Sequence, residues 1–251
     1  MLHAVRSGSG PRVVLVHGFS QTQASWDVVG EALASDHEVV AVDLPGHGGS
    51  ADERLDLPAT AAAVAEVGGA GTYVGYSMGG RVALRVALDH PEVVEHLVLI
   101  SSTAGIRDDE ERARRRVSDD GLASTIEREG VATFLEHWMA QPLFAGLVPS
   151  EAHIAARLTN TPEGLASSLR LAGTGTMDPP WWDELPSLGE RGLPVTLVVG
   201  ERDAKYRGIA EHLAAGIGST ARVVVLTGAG HVCHLEAPAA FLDALASAEA
   251  R

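Results

Sequence analysis

Residues 72–84 read TYVGYSMGGRVAL, and this stretch decides the fold. A β-branched run ends at Val74, the pattern G-x-S-x-G follows around Ser77, and apolar residues at helical spacing come next. A serine between a strand and a helix in this pattern is typical of a nucleophile elbow, a sharp turn that exposes the hydroxyl. Glycine is expected at Gly75 and Gly79 because side chains there would collide with neighbouring backbone. Ser77 is therefore the predicted nucleophile.

Short β-branched runs recur along the chain, and Gly, Pro or Asp residues bound them. Helical patterns lie between the runs, and such alternation predicts an α/β fold with a mostly parallel, doubly wound sheet. The length of 251 residues and the 45% content of apolar residues suit one core with an appendage. The predicted strands are residues 13–16, 39–42, 72–74, 97–100, 195–199 and 223–226.

The alternation fails between residues 106 and 183, where Arg and Glu mix with Leu, Ile, Phe and Trp at helical spacing. This pattern without β-runs predicts a helical cap inserted in the core, which then comprises residues 1–105 and 184–251. Two cap helices are expected, with a break near Gly130. A final helix is predicted from Pro238 through Leu245.

Two further segments supply partners for the serine. Asp203 follows a strand end in LVVGERDAKY, and His231 lies in a Gly-bounded loop in LTGAGHVCHLEAP. The order Ser, Asp, His is the one that the α/β-hydrolase fold uses, so His231 is the predicted general base and Asp203 the acid that orients it. His234 is a rival for the base, and its alternative interpretation is a satisfied polar residue at the start of a helix.

The segment VVLVHGFSQ places a second loop beside the elbow. The backbone N–H groups of Phe19 and Met78 are expected to form the oxyanion hole of this fold. His17 is interpreted as a brace that hydrogen-bonds within its loop, not as a catalytic group. The segment DLPGHGGS, with Asp43 and His47, is expected to form a tight structural turn.

Composition excludes several classes of function. The 19 Lys and Arg residues against 33 Asp and Glu residues give a formal charge of -14, which disfavours binding to nucleic acid and to anionic membranes. The lone cysteine, Cys233, excludes an internal disulfide and a multi-cysteine metal site. Neither a signal peptide nor an apolar membrane span is evident, so a cytoplasmic protein, monomeric or weakly homo-oligomeric, is expected. An anionic substrate would need a locally basic pocket.

Six segments together resemble one family within the α/β-hydrolase superfamily, the 2-succinyl-6-hydroxy-2,4-cyclohexadiene-1-carboxylate synthases of menaquinone biosynthesis. The resemblance runs from about Val13 to the last helix, and the segments EHWMAQPLFA and GERDAKYR are the most restricted to this family. The stretch GTGTMDPPWWDEL departs from the usual family pattern, and its paired tryptophans, Trp181 and Trp182, are interpreted as hinge packing. The remaining segments are HGFSQ, DLPGHGGS, GYSMGGRVAL and GAGHVCHLEAP.

The resemblance implies a lyase that eliminates pyruvate from a cyclohexene tricarboxylate and uses no metal or organic cofactor. By motif match, Arg81, Arg115 and Arg157 would bind the substrate carboxylates, which suits the planar fork of the guanidinium. Tyr76 and Trp138 would line the pocket. The other arginines of the run at residues 112–116 fit a solvated helix face, and aromatic residues of the cap could simply form its core.

Two other functions fit the same triad. The first is a hydrolase of esters, lactones or carbon–carbon bonds that works through an acyl-enzyme, since a fold does not determine a reaction. The second is a ligand receptor without turnover, which an intact triad and oxyanion loop disfavour. The arginines separate the lyase from the hydrolase, because a hydrolase of neutral esters has no need for cations at three separate positions.

Overall fold

Seven strands form one sheet in the computed structural model, which describes residues 1–249. Their order across the sheet is β1-β3-β2-β4-β5-β6-β7, and every neighbouring pair is parallel except β1 with β3. The strands are β1 (Ala4–Gly8), β2 (Arg12–Val16), β3 (Glu38–Val42), β4 (Gly71–Tyr76), β5 (Val94–Ile100), β6 (Val195–Gly200) and β7 (Ala221–Leu226).

The predicted fold class is confirmed, and so are all six predicted strands. Each observed strand contains its predicted range and extends one or more residues beyond it. The sequence pattern missed β1, the antiparallel edge strand, because four of its five residues are exposed and no apolar alternation marks it. A short exposed edge strand that carries Arg6 is a common protection against edge-to-edge pairing.

Helices cover both faces of the sheet. Along β2, Val13 and Leu15 pack with the helices at residues 27–33 and 238–249. Val14 and Val16 pack on the opposite face with the helices at residues 57–68, 78–89 and 204–217. This period of two is expected of a strand buried on both faces. The helices are α1 (Asp27–Leu33), α2 (Leu57–Gly68), α3 (Met78–Asp89), α4 (Asp109–Met139), α5 (Glu151–Leu158), α6 (Pro162–Ala172), α7 (Pro186–Glu190), α8 (Ala204–Ile217), α9 (Cys233–Glu236) and α10 (Pro238–Glu249).

The helices α4, α5 and α6 form an insertion between β5 and β6. Gly130 has φ 80° and ψ 168° within α4, which confirms the predicted break there. A separate apolar cluster joins Ile126 and Phe134 of α4 to Leu165 of α6, and Phe19 packs against it from the sheet side. The boundaries of this cap at residues 106 and 183 stay a prediction. No helix within residues 1–249 is long and apolar enough to cross a membrane.

The nucleophile turn lies between β4 and α3. Ser77 has φ 50° and ψ −105°, a strained conformation, and its N–H donates to the Ile100 carbonyl at 2.8 Å. A Cβ at Gly75 would lie 2.3 Å from the Gly79 carbonyl oxygen, and a Cβ at Gly79 would lie 2.2 Å from the Val16 carbonyl oxygen. The turn therefore needs both glycines for the reason that the sequence suggested.

Substitution of Gly79 tests this constraint. We expect Gly79→Ala to lower the free energy of unfolding by about 3 kcal/mol or more, because backbone oxygens cannot move aside. The matched control is Gly121→Ala at an exposed position in α4, where a Cβ meets nothing within 4 Å. That control should gain roughly 0.5–1 kcal/mol from helix propensity. Urea unfolding measures both variants, and equal stability of the two would contradict the steric argument.

Candidate active site

The predicted catalytic residues meet at the carboxyl ends of the parallel strands. Ser77 follows β4, Asp203 follows β6, and His231 follows β7. Asp203 Oδ2 lies 2.6 Å from Nδ1 of His231, and both side chains are buried. This bond keeps the proton of the neutral imidazole on Nδ1 and leaves Nε2 free to accept another.

Asp203 is also fixed by its own backbone surroundings. It caps α8, since its Oδ1 accepts a hydrogen bond from the Tyr206 N–H at 3.3 Å, and its own N–H donates to the Gly200 carbonyl at 3.1 Å. No hydrogen bond joins the Ser77 hydroxyl to the His231 ring within residues 1–249. Such a bond is often long before a substrate binds. The arrangement therefore has an oriented base and a nearby serine in one cavity.

His234 does not compete for the role of base. Its ring is fully buried, with centroids 4.6 Å from those of Trp26 and Tyr76, and it does not line the cavity that contains Ser77. Within residues 1–249 neither of its ring nitrogens has a hydrogen-bond partner, so the interpretation as a satisfied polar residue was wrong. Burial lowers the pKa of His234 to about 3, which keeps the ring neutral.

The loop after β2 is braced as expected. His17 Nδ1 donates to the Gly18 carbonyl at 2.8 Å, while its Nε2 accepts from the Leu44 N–H at 3.0 Å. The Gln21 N–H donates to the same Gly18 carbonyl at 3.2 Å. Because a trans peptide is planar, the Phe19 N–H must point opposite to that carbonyl, away from both donors. Burial lowers the pKa of His17 to about 4, so its Nε2 stays an acceptor.

A second N–H group comes from the start of α3. Met78 is the first residue of that helix, so its N–H has no acceptor within the helix and lies at the positive end of the helix dipole. Met78 and Phe19 line the same cavity as Ser77. One N–H group thus comes from the residue that follows Ser77, and the other comes from the loop after β2. These are the two segments that supply the oxyanion hole in this fold.

The turn that contains Asp43 is structural. Its carboxylate accepts hydrogen bonds from the N–H groups of Gln23 at 2.7 Å and Gly49 at 2.9 Å, and it contacts His3 Nδ1 at 2.8 Å. His47 Nε2 accepts from the Ser20 N–H at 3.2 Å. Burial lowers the pKa of His47 to about 3, which preserves this acceptor. Neither residue lines the cavity.

The cavity has a volume of about 330 Å³ and lies between the sheet and the helical insertion. One wall is aromatic, because the Trp138 ring centroid lies 5.5 Å from that of Phe19 and 5.6 Å from that of Phe144. The residues 1–249 contain no group of three or more His, Cys, Asp or Glu that could hold a metal ion. The predicted site residues that line the cavity are Phe19, Tyr76, Ser77, Met78, Arg81, Arg115, Trp138, Arg157 and His231.

Two buried arginines face this cavity without an ion pair to a carboxylate of residues 1–249, although the charge of Asp119 acts on Arg81 from a greater distance. Arg81 donates to the Ala172 carbonyl at 2.7 Å, and Arg157 donates to the Ser20 hydroxyl at 2.6 Å. Neither forms an ion pair with a carboxylate of the described chain. Burial lowers the pKa of each guanidinium to about 10, so both stay charged at neutral pH. A buried charge without a partner is costly, and a bound anion would offset that cost.

Arg115 differs from these two because it is partly exposed. Its Nε donates to Asp119 Oδ1 at 2.8 Å, while Asp119 Oδ2 has no hydrogen-bond partner. Within residues 112–116, Arg115 lines the cavity of Ser77 and the other arginines do not. Arg114 pairs with Glu110, as the solvated-face interpretation expected. That interpretation was wrong for Arg112, which is buried and pairs with Asp109 and Asp178.

Comparison with known proteins agrees with this geometry. The model of the alpha/beta hydrolase family matches residues 13–244. A 2-succinyl-6-hydroxy-2,4-cyclohexadiene-1-carboxylate synthase from Klebsiella pneumoniae is 33% identical over 94% of this chain and 92% of its own. A synthase of the same name from Salmonella schwarzengrund is 33% identical over 98% of each chain. This chain belongs to that synthase family of alpha/beta hydrolases.

Solved structures place the synthase family on the same fold. The structure of MenH from S. aureus has a TM-score of 0.88 and 28% identity, and it covers 99% of this chain and 98% of its own. A thermophilic esterase from Thermogutta terrifontis has a TM-score of 0.79 and 26% identity over 98% of this chain and 92% of its own. The fold is thus common to MenH and an esterase, so the fold alone does not determine the reaction.

Lys205 and Tyr206 are among the residues of the cavity that sequence reasoning missed. The Tyr206 ring centroid lies 4.6 Å from that of His231, and its pKa is raised by burial. Lys205 also lines a neighbouring cavity of about 640 Å³, together with Arg115 and Trp182. The segment GERDAKYR contains both residues two and three positions after Asp203, so their place near the triad could have been inferred from the sequence. Trp182 donates to the Gly105 carbonyl at 2.9 Å, which fits its interpretation as packing.

The buried state of His234 predicts an acid-sensitive contribution to stability. The pKa of His234 is lowered in the folded chain to about 3. Between about pH 6.5 and pH 3, the histidine is therefore protonated in the unfolded chain but stays neutral in the folded chain. Stability should therefore fall as the pH decreases from 6.5 towards 3. We expect His234→Leu to remove about 2 kcal/mol of the loss between pH 7 and pH 4.5, measured by urea unfolding. The control His137→Leu, at an exposed position, should keep the wild-type slope, and equal slopes for all three proteins would contradict the assignment.

Proposed function

We propose that this chain eliminates pyruvate from 2-succinyl-5-enolpyruvyl-6-hydroxy-3-cyclohexene-1-carboxylate and releases 2-succinyl-6-hydroxy-2,4-cyclohexadiene-1-carboxylate, a step of menaquinone biosynthesis. The observation that carries the proposal is the pair of buried, unpaired guanidinium groups of Arg81 and Arg157 in the cavity of Ser77 and His231. The substrate has three carboxylates. A site built for a neutral ester would gain nothing from these buried charges, whereas a polyanion gains strong charge-assisted hydrogen bonds.

The positions of the arginine side chains indicate where the substrate carboxylates bind in this proposal. Arg81 lies one helical turn after Ser77 on α3, so a carboxylate at Arg81 sits close to the reacting centre. Arg157 enters from α5, and Arg115 enters from α4. Three carboxylates held from three helices leave one orientation for the ring between them. Lys205 adds a fourth positive charge, which offsets the overall charge of -14 locally.

The chemistry is a proton abstraction followed by loss of a leaving group. His231, oriented by Asp203, takes the hydroxyl proton of Ser77, and the serine oxygen abstracts a proton from a ring carbon. The electrons of the broken C–H bond at ring C2 form the C2=C3 bond, the electrons of the old C3=C4 bond form the C4=C5 bond, and the C5–O bond to the enolpyruvyl group breaks. The leaving group departs as the enolate of pyruvate, and the imidazolium of His231 returns its proton to that enolate, which gives pyruvate. No water is consumed.

The N–H groups of Phe19 and Met78 stabilise the negative charge that develops on oxygen. Preorganised N–H donors of this kind each contribute roughly 10²–10³ in rate in enzymes with such a hole. The aromatic wall of Trp138 and Phe144 limits the access of water to the site. Neutral Tyr76 adds to this wall, because burial raises its pKa well above the ordinary value. These features favour elimination over hydrolysis.

We also propose a class of partner, a location and an oligomeric state for this enzyme. The enzyme acts on a small anionic molecule and has no nucleic-acid partner, consistent with its charge of -14. We place it in the cytoplasm as a monomer or a weak homo-oligomer. The single cysteine, Cys233, is buried and free, as expected for a chain that does not depend on disulfides.

The direct test is pyruvate release by the purified protein, fed the unstable precursor by the synthase that makes it. We expect rapid release in the wild type, a loss of about 10³-fold or more in Ser77→Ala and in His231→Gln, and feeble cleavage of a p-nitrophenyl ester. Brisk Ser77-dependent ester turnover without faster pyruvate release would contradict the proposal. That outcome would identify a serine hydrolase that acts through an acyl-enzyme.

A further inference from the structure

Ser20 occupies an unusual conformation next to the Phe19 N–H group. It is fully buried and has φ 64°, the left-handed region that most residues other than glycine avoid. A non-glycine residue keeps such a conformation only where its surroundings hold it. Three contacts do so here, one from the turn that contains His47 and two from the helical insertion.

Every polar group of Ser20 has a partner. Its N–H donates to His47 Nε2 at 3.2 Å, and its carbonyl accepts from Asn160 Nδ2 at 3.1 Å. Its hydroxyl oxygen accepts from the Arg157 guanidinium at 2.6 Å. Arg157 and Asn160 lie 137 and 140 residues away in sequence, on the helical insertion. Ser20 is thus the point at which the insertion holds the loop after β2.

Asn160 forms further hydrogen bonds that hold these segments together. Its Nδ2 also donates to the Arg157 carbonyl at 3.0 Å, and its Oδ1 accepts from the Gly48 N–H at 2.9 Å. The amide therefore joins the loop of Ser20, the turn of His47 and the end of α5. The residue is buried, so these bonds are shielded from competition with water.

We propose that Ser20 is a positioning residue that couples the carboxylate-binding Arg157 to the oxyanion donor Phe19. The inference rests on the proposed function, because it takes Arg157 to bind a substrate carboxylate. The chain of contacts is short, since Arg157 bonds the side chain of the residue that directly follows Phe19. A carboxylate that draws Arg157 into place acts on Ser20 and hence on the alignment of the Phe19 N–H. Misplacement of a catalytic group by about 1 Å can cost on the order of 10²-fold in rate.

The test compares Ser20→Ala and Ser20→Gly in the full-length protein. Both remove the hydroxyl, and glycine tolerates positive φ without strain, so equal losses assign the effect to the bond with Arg157. We expect each variant to lower kcat for pyruvate release by about tenfold and to raise KM several-fold. In an Arg157→Ala background, Ser20→Ala should change KM by less than about twofold, because coupled residues are not additive. Additive effects in the double variant would overturn the proposal.

A second readout does not depend on the natural substrate. The rate at which a fluorophosphonate modifies Ser77, followed by mass spectrometry, reports on the triad and the oxyanion hole without the binding of substrate carboxylates. We expect this rate to fall about tenfold in Ser20→Ala and in Asn160→Ala, and to stay at the wild-type value in Thr159→Ala, an exposed neighbour. Unchanged labelling in the two Ser20 variants, with only a lower Tm, would show a merely structural role. If the wild type labels but releases no pyruvate, the proposed function fails while the labelling rates still decide the coupling.

Discussion

The site depends above all on two buried positive charges that form no ion pair within residues 1–249. Arg81 and Arg157 each donate to a neutral oxygen, and burial lowers the pKa of both without discharging them. Such groups reduce stability, and folded chains retain them mainly where function requires them. In a protein with a formal charge of -14, their placement in the cavity of the serine gives that cavity a local positive charge, and this is the basis of the proposed anionic substrate.

The catalytic groups around these charges are held by backbone geometry. The elbow fixes Ser77 through close approaches that only glycine at Gly75 and Gly79 permits. The neutral His17 ring fixes the Gly18 carbonyl, and the planar peptide carries that constraint to the Phe19 N–H. The low pKa of His17 is therefore useful, because a protonated ring could not accept from the Leu44 N–H. The sheet side is rigid by these means, and the helical insertion supplies the arginines.

The sequence predicted those features whose signals are local. The buried strands and the segments around Ser77, Asp203 and His231 have short patterns, and the structure contains each of them. The edge strand β1 was missed because its residues are polar and exposed. His234 was misjudged, since no local pattern reveals that aromatic rings surround it.

Features that depend on contacts between residues far apart in sequence could not be predicted from local patterns. The contacts of Ser20 with Arg157 and Asn160 span more than a hundred residues, so no spacing rule could indicate them. Lys205 and Tyr206 lay within a motif that was recognised, yet their place in the cavity follows only from the start of α8 beside His231. The fold and the segments of the triad are therefore readable from the sequence, whereas the contacts of Ser20, which we propose align the oxyanion hole, require the structure.

The central claim is that Arg81 and Arg157 bind substrate carboxylates, and the most direct measurement is calorimetric binding of the product, 2-succinyl-6-hydroxy-2,4-cyclohexadiene-1-carboxylate. The product keeps two of the three substrate carboxylates, so the account predicts that at least one of Arg81→Met and Arg157→Met weakens this binding by about 10–100-fold, the value of a hydrogen bond to a charged group. The same substitution at Arg128, an exposed arginine that pairs with Glu129, should leave the affinity unchanged. Equal affinity of all three variants and the wild type would contradict the account.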